Sequence, residues 1–291
     1  MTNERKVERV ITAHKQLEGG GFEVRRPIPT AGVEHIDPFL LLDELGPVEY
    51  GPGEAIGAPD HPHRGFETVT YILEGAVEHE DSAGHRGRIG PGDVQWMTAG
   101  AGIVHSEEPA PDVRENGGRA HGFQIWVNLP AKLKMTKPRY QEVQASGIPH
   151  ATTADGRARG VIIAGEALGV RAVIDTITPI VFQDWTLDAG ADVSIAIAPD
   201  HRALVYAFDG AVEIGGREVR DGQLAVLGDG DVVRLRASRS GRVLVLAGVP
   251  HREPVARYGP FVMNTHDELV QAVRDFQSGR MGEITRTAQV G

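Results

Sequence analysis

Glycine and proline break this chain so often that no apolar segment is long enough for a helical core or a membrane span. The 291 residues include 37 Gly and 18 Pro, and no apolar run approaches the ~18 residues of a transmembrane helix. Between the breaks lie short runs of Val, Ile, Leu and Thr, which is the pattern of strands joined by tight turns. Residues 37–43 (DPFLLLD) read as a buried strand or strand edge. Residues 67–81 (ETVTYILEGAVEHED) read as two strands joined near Glu74-Gly75. Further strands are expected at 93–97, 103–107 and 121–128 (HGFQIWVN), after which Pro130 ends the first half.

The small, polar, turn-rich stretch 145–160 (ASGIPHATTADGRARG) is expected to be an inter-domain linker. Beyond it, strands are expected near 161–164, 177–187, 192–198, 203–208, 211–214, 223–227, 231–236 and 242–247. One helix is predicted near 265–279. Thr265 and Glu268 form a capping box, Leu269, Val273 and Phe276 share a face, and Gly279 can close it. The tetrapeptide GAVE occurs at 75–78 and again at 210–213, and Pro91-Gly92-Asp93 before VQWM is echoed by Asp221-Gly222-Gln223 before LAVL. The reading is an all-β chain of two tandem barrels, residues 1–145 and 146–291, the second ending in the helix.

Hydrophobic residues make up 41 % of the chain, enough for two cores, and the net charge is −10. That balance does not suit non-specific nucleic-acid binding, which needs phosphates neutralised by Lys and Arg. Arg234, Arg236, Arg239 and Arg242 cluster in the second half and are expected to form a solvated strand face rather than an anion site. There is no cysteine, so a metal would have to be held by imidazole and carboxylate. With no secretory h-region at the N-terminus, a soluble, cytoplasmic monomer with no membrane contact is expected.

The chemistry concentrates in two short motifs. In His61-Pro62-His63, residues i and i+2 of a strand face the same way, so two imidazoles can share one ion. Such a pair would arise by chance in roughly 40 % of chains with this histidine content. A second same-face pair, His105-Ser106-Glu107, can complete the sphere from a neighbouring strand. Three imidazoles and a carboxylate suit a divalent Fe, Mn, Co, Ni, Cu or Zn ion. Two similar motifs, His251-Arg252-Glu253 and His79-Glu80-Asp81, lack a second pair nearby. His121, His150, His201 and His266 stand alone and are expected at the surface or as caps.

The run HPHRGFETVTYILEGAVEHEDSAGHRGRIGPGDVQWMTAGAGIVHSE (61–107) closely resembles the pirin family of bicupins. So do DPFLLLDELGP (37–47), FQIWVNLPAKLKMTKPRYQ (123–141) and EPVARYGPFVMNT (253–265). The resemblance implies two tandem cupin barrels with metal in the first, held by His61, His63, His105 and Glu107, Fe(II) being the expected ion. Glu67 has the spacing of a glutamate ligand in many other cupins. By the pirin pattern it hydrogen-bonds behind the site instead. The repeat offset maps His61 and His63 onto Ala196 and Ala198, and His105 and Glu107 onto Leu235 and Ala237, so no second metal site is expected.

The resemblance further implies an oxygenase of the quercetinase type, opening a flavonol with O2 and releasing CO, with Glu107 as general base. Phe39, Met97 and Phe123, with Trp96 and Trp126, are the candidates for lining an aromatic pocket. The alternative is a redox-responsive regulator that binds a protein partner near Arg64, on the strand face opposite His63. A metal-dependent isomerase or hydrolase is a lesser alternative, and no P-loop or dinucleotide fingerprint is present.

Overall fold

The computed structural model describes residues 2–286. They form two cupin barrels and a short C-terminal helix. No helix among them is long and apolar enough to cross a membrane.

One compact unit comprises Lys15–Val24, Leu42–Gln144 and the chain from Arg252 onward. Its larger sheet has seven strands in the order Arg139–Val143, Val94–Thr98, Phe66–Glu74, Gly118–Asn128, Phe39–Tyr50, Phe22–Ile28 and His14–Glu18. Its smaller sheet runs Ala58–His63, Ile103–Pro109, Val77–Asp81 and Arg86–Ile89. The strands expected from 67 to 81 are present, and the turn between them falls at Gly75, whose φ of 79° is a conformation favouring glycine. A one-turn helix, α1 (Pro111–Asn116), follows the strand that carries His105.

The predicted C-terminal helix is α2 (His266–Gln277), and both bonds of the Thr265–Glu268 capping box form. Leu269 and Ala272 of α2 pack with Val104, Phe261, Met263 and Met281. Beneath this cluster Lys134 is fully buried. Its ammonium donates to the carbonyls of Gly65 and Val262 and to Asn128 Oδ1 at 2.7, 2.9 and 2.6 Å. Gly65 itself has φ 91°, and a Cβ there would lie 1.9 Å from the Val262 carbonyl oxygen. Only glycine fits at this point, immediately after His63-Arg64.

The second unit comprises the chain up to His14, Arg25–Leu41 and Ala145–His251. Its core is dominated by Val, Ile, Leu and Ala, with Val193, Ile195, Val233 and Leu235 facing one another across a strand pair. Here the repeat-based mapping is off by one for its first half. Ala196 and Ala198 are exposed while Ile195 and Ile197 point inward, as expected when a period-2 register slips by one residue. The interior positions are apolar in either register, so the inference of no ligands in this barrel does not depend on it. Arg234 and Arg236 pair with Asp192 and Glu213, and Arg242 with the buried Asp184. These three guanidiniums are therefore internally neutralised.

The structure departs from the sequence-based division at the chain ends. The strand Val7–Thr12 pairs with Gln223–Leu227 and so completes the second barrel. The C-terminal helix, assigned by sequence to the second domain, belongs to the first. The expected linker instead holds a hairpin, with His150–Thr152 paired to Ala158–Ala164. Its polar turn around Asp155-Gly156 gave the stretch its linker-like composition. The 203–208 and 211–214 strands are one strand, Arg202–Ile214, with a register shift between Ala207 and Asp209.

Candidate metal centre

The strands Ala58–His63 and Ile103–Pro109 pair so that His61 lies opposite His105 and His63 opposite Ile103. This brings three imidazoles together. Ring centroids lie 4.7 Å apart for His61–His63, 4.4 Å for His61–His105 and 4.9 Å for His63–His105. One nitrogen of each ring lies within 4.8 Å of the other two. His61 Nδ1 sits 2.7 Å from the Pro59 carbonyl oxygen. That contact places the ring proton on Nδ1 and leaves the Nε2 lone pair directed at His63 Nε2, 3.0 Å away.

Buried polar atoms normally have partners. Here His63 Nδ1 and both ring nitrogens of His105 are buried without a hydrogen-bond partner among the described residues. Burial, reinforced by the neighbouring imidazoles, pushes His63 well below its ordinary pKa. His105 is lowered to about 4, mainly by burial. Both are therefore neutral near pH 7, the form that donates a lone pair to a metal. The donor set, its convergence and its unsatisfied nitrogens fit a divalent transition ion.

Glu107 follows on the same strand but is not part of the three-histidine group. The pairing slips after His105, and Glu107 lies opposite Ala58. Its carboxylate accepts from Thr70 Oγ1 at 2.9 Å and from Gln124 Nε2 at 2.8 Å. Burial opposes its ionisation, but His105, His61 and these two donors hold its pKa below the usual glutamate value. Glu67 is fully buried and accepts from Thr98 Oγ1 at 2.7 Å. It too lies outside the histidine group.

Trp126 packs edge-on against His63 at 5.2 Å and tilts over Phe66 at 4.3 Å, fixing the His63 ring from behind. On its other side Arg257 lies 4.8 Å from the Trp126 ring centre. Arg64 is buried. It donates to the Ala101 carbonyl at 2.6 Å and to Asp275 of α2 at 2.8 Å. The guanidinium is therefore not a surface contact for a partner, contrary to the expectation for Arg64. Asp275→Ala would strand this buried charge and should destabilise the protein by about 3–5 kcal/mol, measurable by chemical denaturation.

A mostly apolar pocket, open to solvent, lies against Glu107, Thr70 and Gln124. Phe39, Met97 and Phe123 do not line it. Along Gly118–Asn128, Gly122 and Gln124 face the cavity, so Phe123 faces away and stacks on Tyr71 at 6.5 Å. Met97 packs with Ala99 and Ile103. Phe39 and Trp96 are buried core residues. The apolar walls come instead from Leu45, Val48, Ile72, Val77 and Val113. Sequence reading missed Thr70, Gln124 and the pair His121–Glu44, 2.9 Å apart. The available signal was polar residues inside otherwise apolar strands. His121 is mostly buried, not a surface histidine. His79 is buried against Glu142 at 2.5 Å, apart from the three-histidine group.

Family models match both barrels, the C-terminal one running on through the helix that the contacts group with the first barrel. The pirin model matches residues 21–127, and the pirin C-terminal cupin domain model matches 182–282. Mouse pirin is 43 % identical across an alignment 289 positions long that covers 97 % of this chain and 96 % of that protein. The chain belongs to the pirin family. Another relative of known structure is named quercetin 2,3-dioxygenase, from Acinetobacter baumannii. It is 37 % identical, with a TM-score of 0.91 over 97 % of this chain and 100 % of its own. A bacterial pirin from Escherichia coli in complex with nickel(II) shares the fold at 23 % identity, with a TM-score of 0.62 over 83 % of this chain and 98 % of its own.

Proposed function

We propose that this pirin is a mononuclear-metal dioxygenase that opens a flavonol with O2 and expels one ring carbon as CO. The observation that carries the reading is a set of converging, unsatisfied histidine nitrogens close to a carboxylate that borders a largely apolar cavity. His61, His63 and His105 would hold the ion, with Glu107 as fourth ligand. Fe(II) is the expected metal, and Ni, Cu, Mn, Co and Zn suit the same donors. When bound, the ion supplies Lewis acidity toward the flavonol oxygen and a redox-active centre for O2.

The protein's own contribution is binding and proton handling. The apolar walls take the flat ring system and exclude water. Thr70 and Gln124 orient Glu107, whose carboxylate receives the 3-hydroxyl proton of the flavonol. Names of relatives favour this substrate class, including the A. baumannii protein. Protein loaded with each metal in turn and incubated aerobically with quercetin should consume O2 and release CO with at least one metal. No metal-dependent uptake with any of them would overturn the proposal.

A second reading is a metal-responsive module that binds a protein partner. It is favoured by one contact: Arg64, next to His63, is ion-paired to Asp275 of α2. A change at His63 would then reach a partner through α2 rather than through Arg64 itself. Equal partner capture by ferrous and ferric protein would dismiss this reading.

A further inference from the structure

We infer that a groove beside α2 docks an acidic amphipathic helix of a partner protein. The docking does not depend on the ion, so the readings of the metal site stand or fall apart from it.

Three observations lead to it. First, the groove is continuous and lies within one compact unit. Val270, Val273, Arg274 and Gln277 of α2 line it, and Arg257 and Tyr258 face them from the strand Ala256–Tyr258. Spacings of three and four residues put the four α2 positions on one helix face. The inward face of α2 is already used, because Leu269 and Ala272 pack into the apolar cluster beneath and Asp275 pairs with Arg64 and Arg280.

Second, the lining has the make-up of a binding surface. Tyr258 is 66 % exposed, and Val270 and Val273 are half-buried. Scattered exposed apolar residues are ordinary, but these share one concave groove. Tyrosine and arginine around an apolar floor are the residues enriched where interfaces concentrate their binding energy.

Third, the charge of the groove is opposite to that of the chain. The chain carries −10, yet two guanidiniums and no carboxylate line the groove among the described residues. Arg274, in the last turn of α2, is exposed and its guanidinium has no ion pair or hydrogen bond among the described residues. Arg257 is seated on the Trp126 ring and sets a second positive charge on the rim. The exposed carboxylates of α2, Asp267 and Glu268, belong to its first turn and serve the helix N-terminus.

These features favour a peptide over a membrane. An anionic bilayer would also meet Asp267, Glu268 and the negative field of the whole chain. A helix seated in the groove meets only its apolar floor and its two arginines. From His266 to Gln277 the groove face of α2 is ~17 Å long, about three turns. The occupant is therefore a helix of similar length with apolar anchors at i, i+3 or i+4 and i+7, flanked by Asp or Glu.

The test is fluorescence anisotropy at ~0.15 M salt, where distant charges are screened. The probe is a labelled synthetic helix of about 15 residues, with leucines at the anchor positions and glutamates on the flanks. Its counterpart carries lysine for every glutamate. Wild type should bind the acidic helix with a Kd of about 10–100 μM and the lysine helix roughly tenfold more weakly. Arg274→Glu should weaken the acidic helix about fivefold and strengthen the lysine helix. Val270→Ser should weaken the acidic helix about threefold through lost apolar contact. Arg274→Gln serves if Arg274→Glu does not fold. No saturable binding of the acidic helix, equal affinity for both helices, or an affinity unmoved by the Arg274 variants would overturn the inference. So would protein that binds anionic phospholipid vesicles and not the helix.

Discussion

Glu107→Gln should lower kcat for flavonol cleavage by about 10²–10⁴-fold, the usual worth of a positioned general base. The substitution keeps the side chain's shape and its oxygen can still accept from Thr70 Oγ1, but an amide cannot take the substrate proton. The second contact becomes unfavourable, because Gln124 would present its own NH2 to another amide. Thr70→Val and Gln124→Leu, which remove the donors but keep the carboxylate, should cost less and shift the acid limb of the pH–rate profile upward. These donors help to hold the Glu107 pKa low. Unchanged kcat in Glu107→Gln with metal retained would remove Glu107 from the proton step.

Metal removal should lower the stability, and the stability of the metal-free protein should depend on pH. An ion held at 100 times its dissociation constant stabilises the folded state by about 2.7 kcal/mol. In the metal-free protein His105 is lowered from 6.5 to about 4 by burial. The unfolded chain therefore binds more protons between those values, and stability falls as pH falls through that window. From His105 alone, lowering pH from 6.5 to 5 should cost about 2 kcal/mol at ~1.4 kcal/mol per unit. His63 is lowered in the same direction and adds to it. Urea denaturation of metal-free protein at pH 7 and pH 5 checks this. Equal midpoints at the two pH values would mean that these imidazoles are not buried in the neutral form.

The sequence made the three histidines legible because strand periodicity puts His61 and His63 on one face and His105 on one face with Glu107, and the resemblance to pirins joined the two pairs. It made most strands legible because turn glycines such as Gly75 mark their ends. Three things were hidden. The strand Val7–Thr12 (VERVIT) has only a weak alternation, so nothing local shows that it completes the other barrel. The cavity lining was misassigned because large aromatics look like pocket residues. Period 2 turns Phe123 away while the smaller Gly122 and Gln124 face in. The pair His121–Glu44 joins residues 77 positions apart, a long-range contact that no local composition reveals.

The metal centre depends on the histidine cluster. The decisive measurement is the metal content of purified, metal-loaded protein beside His61→Ala and His105→Ala. The expected result is one ion per chain in wild type and loss of that ion in both variants, with far-ultraviolet circular dichroism still that of a β protein. Wild type without bound metal, or one ion per chain in either variant, would contradict it.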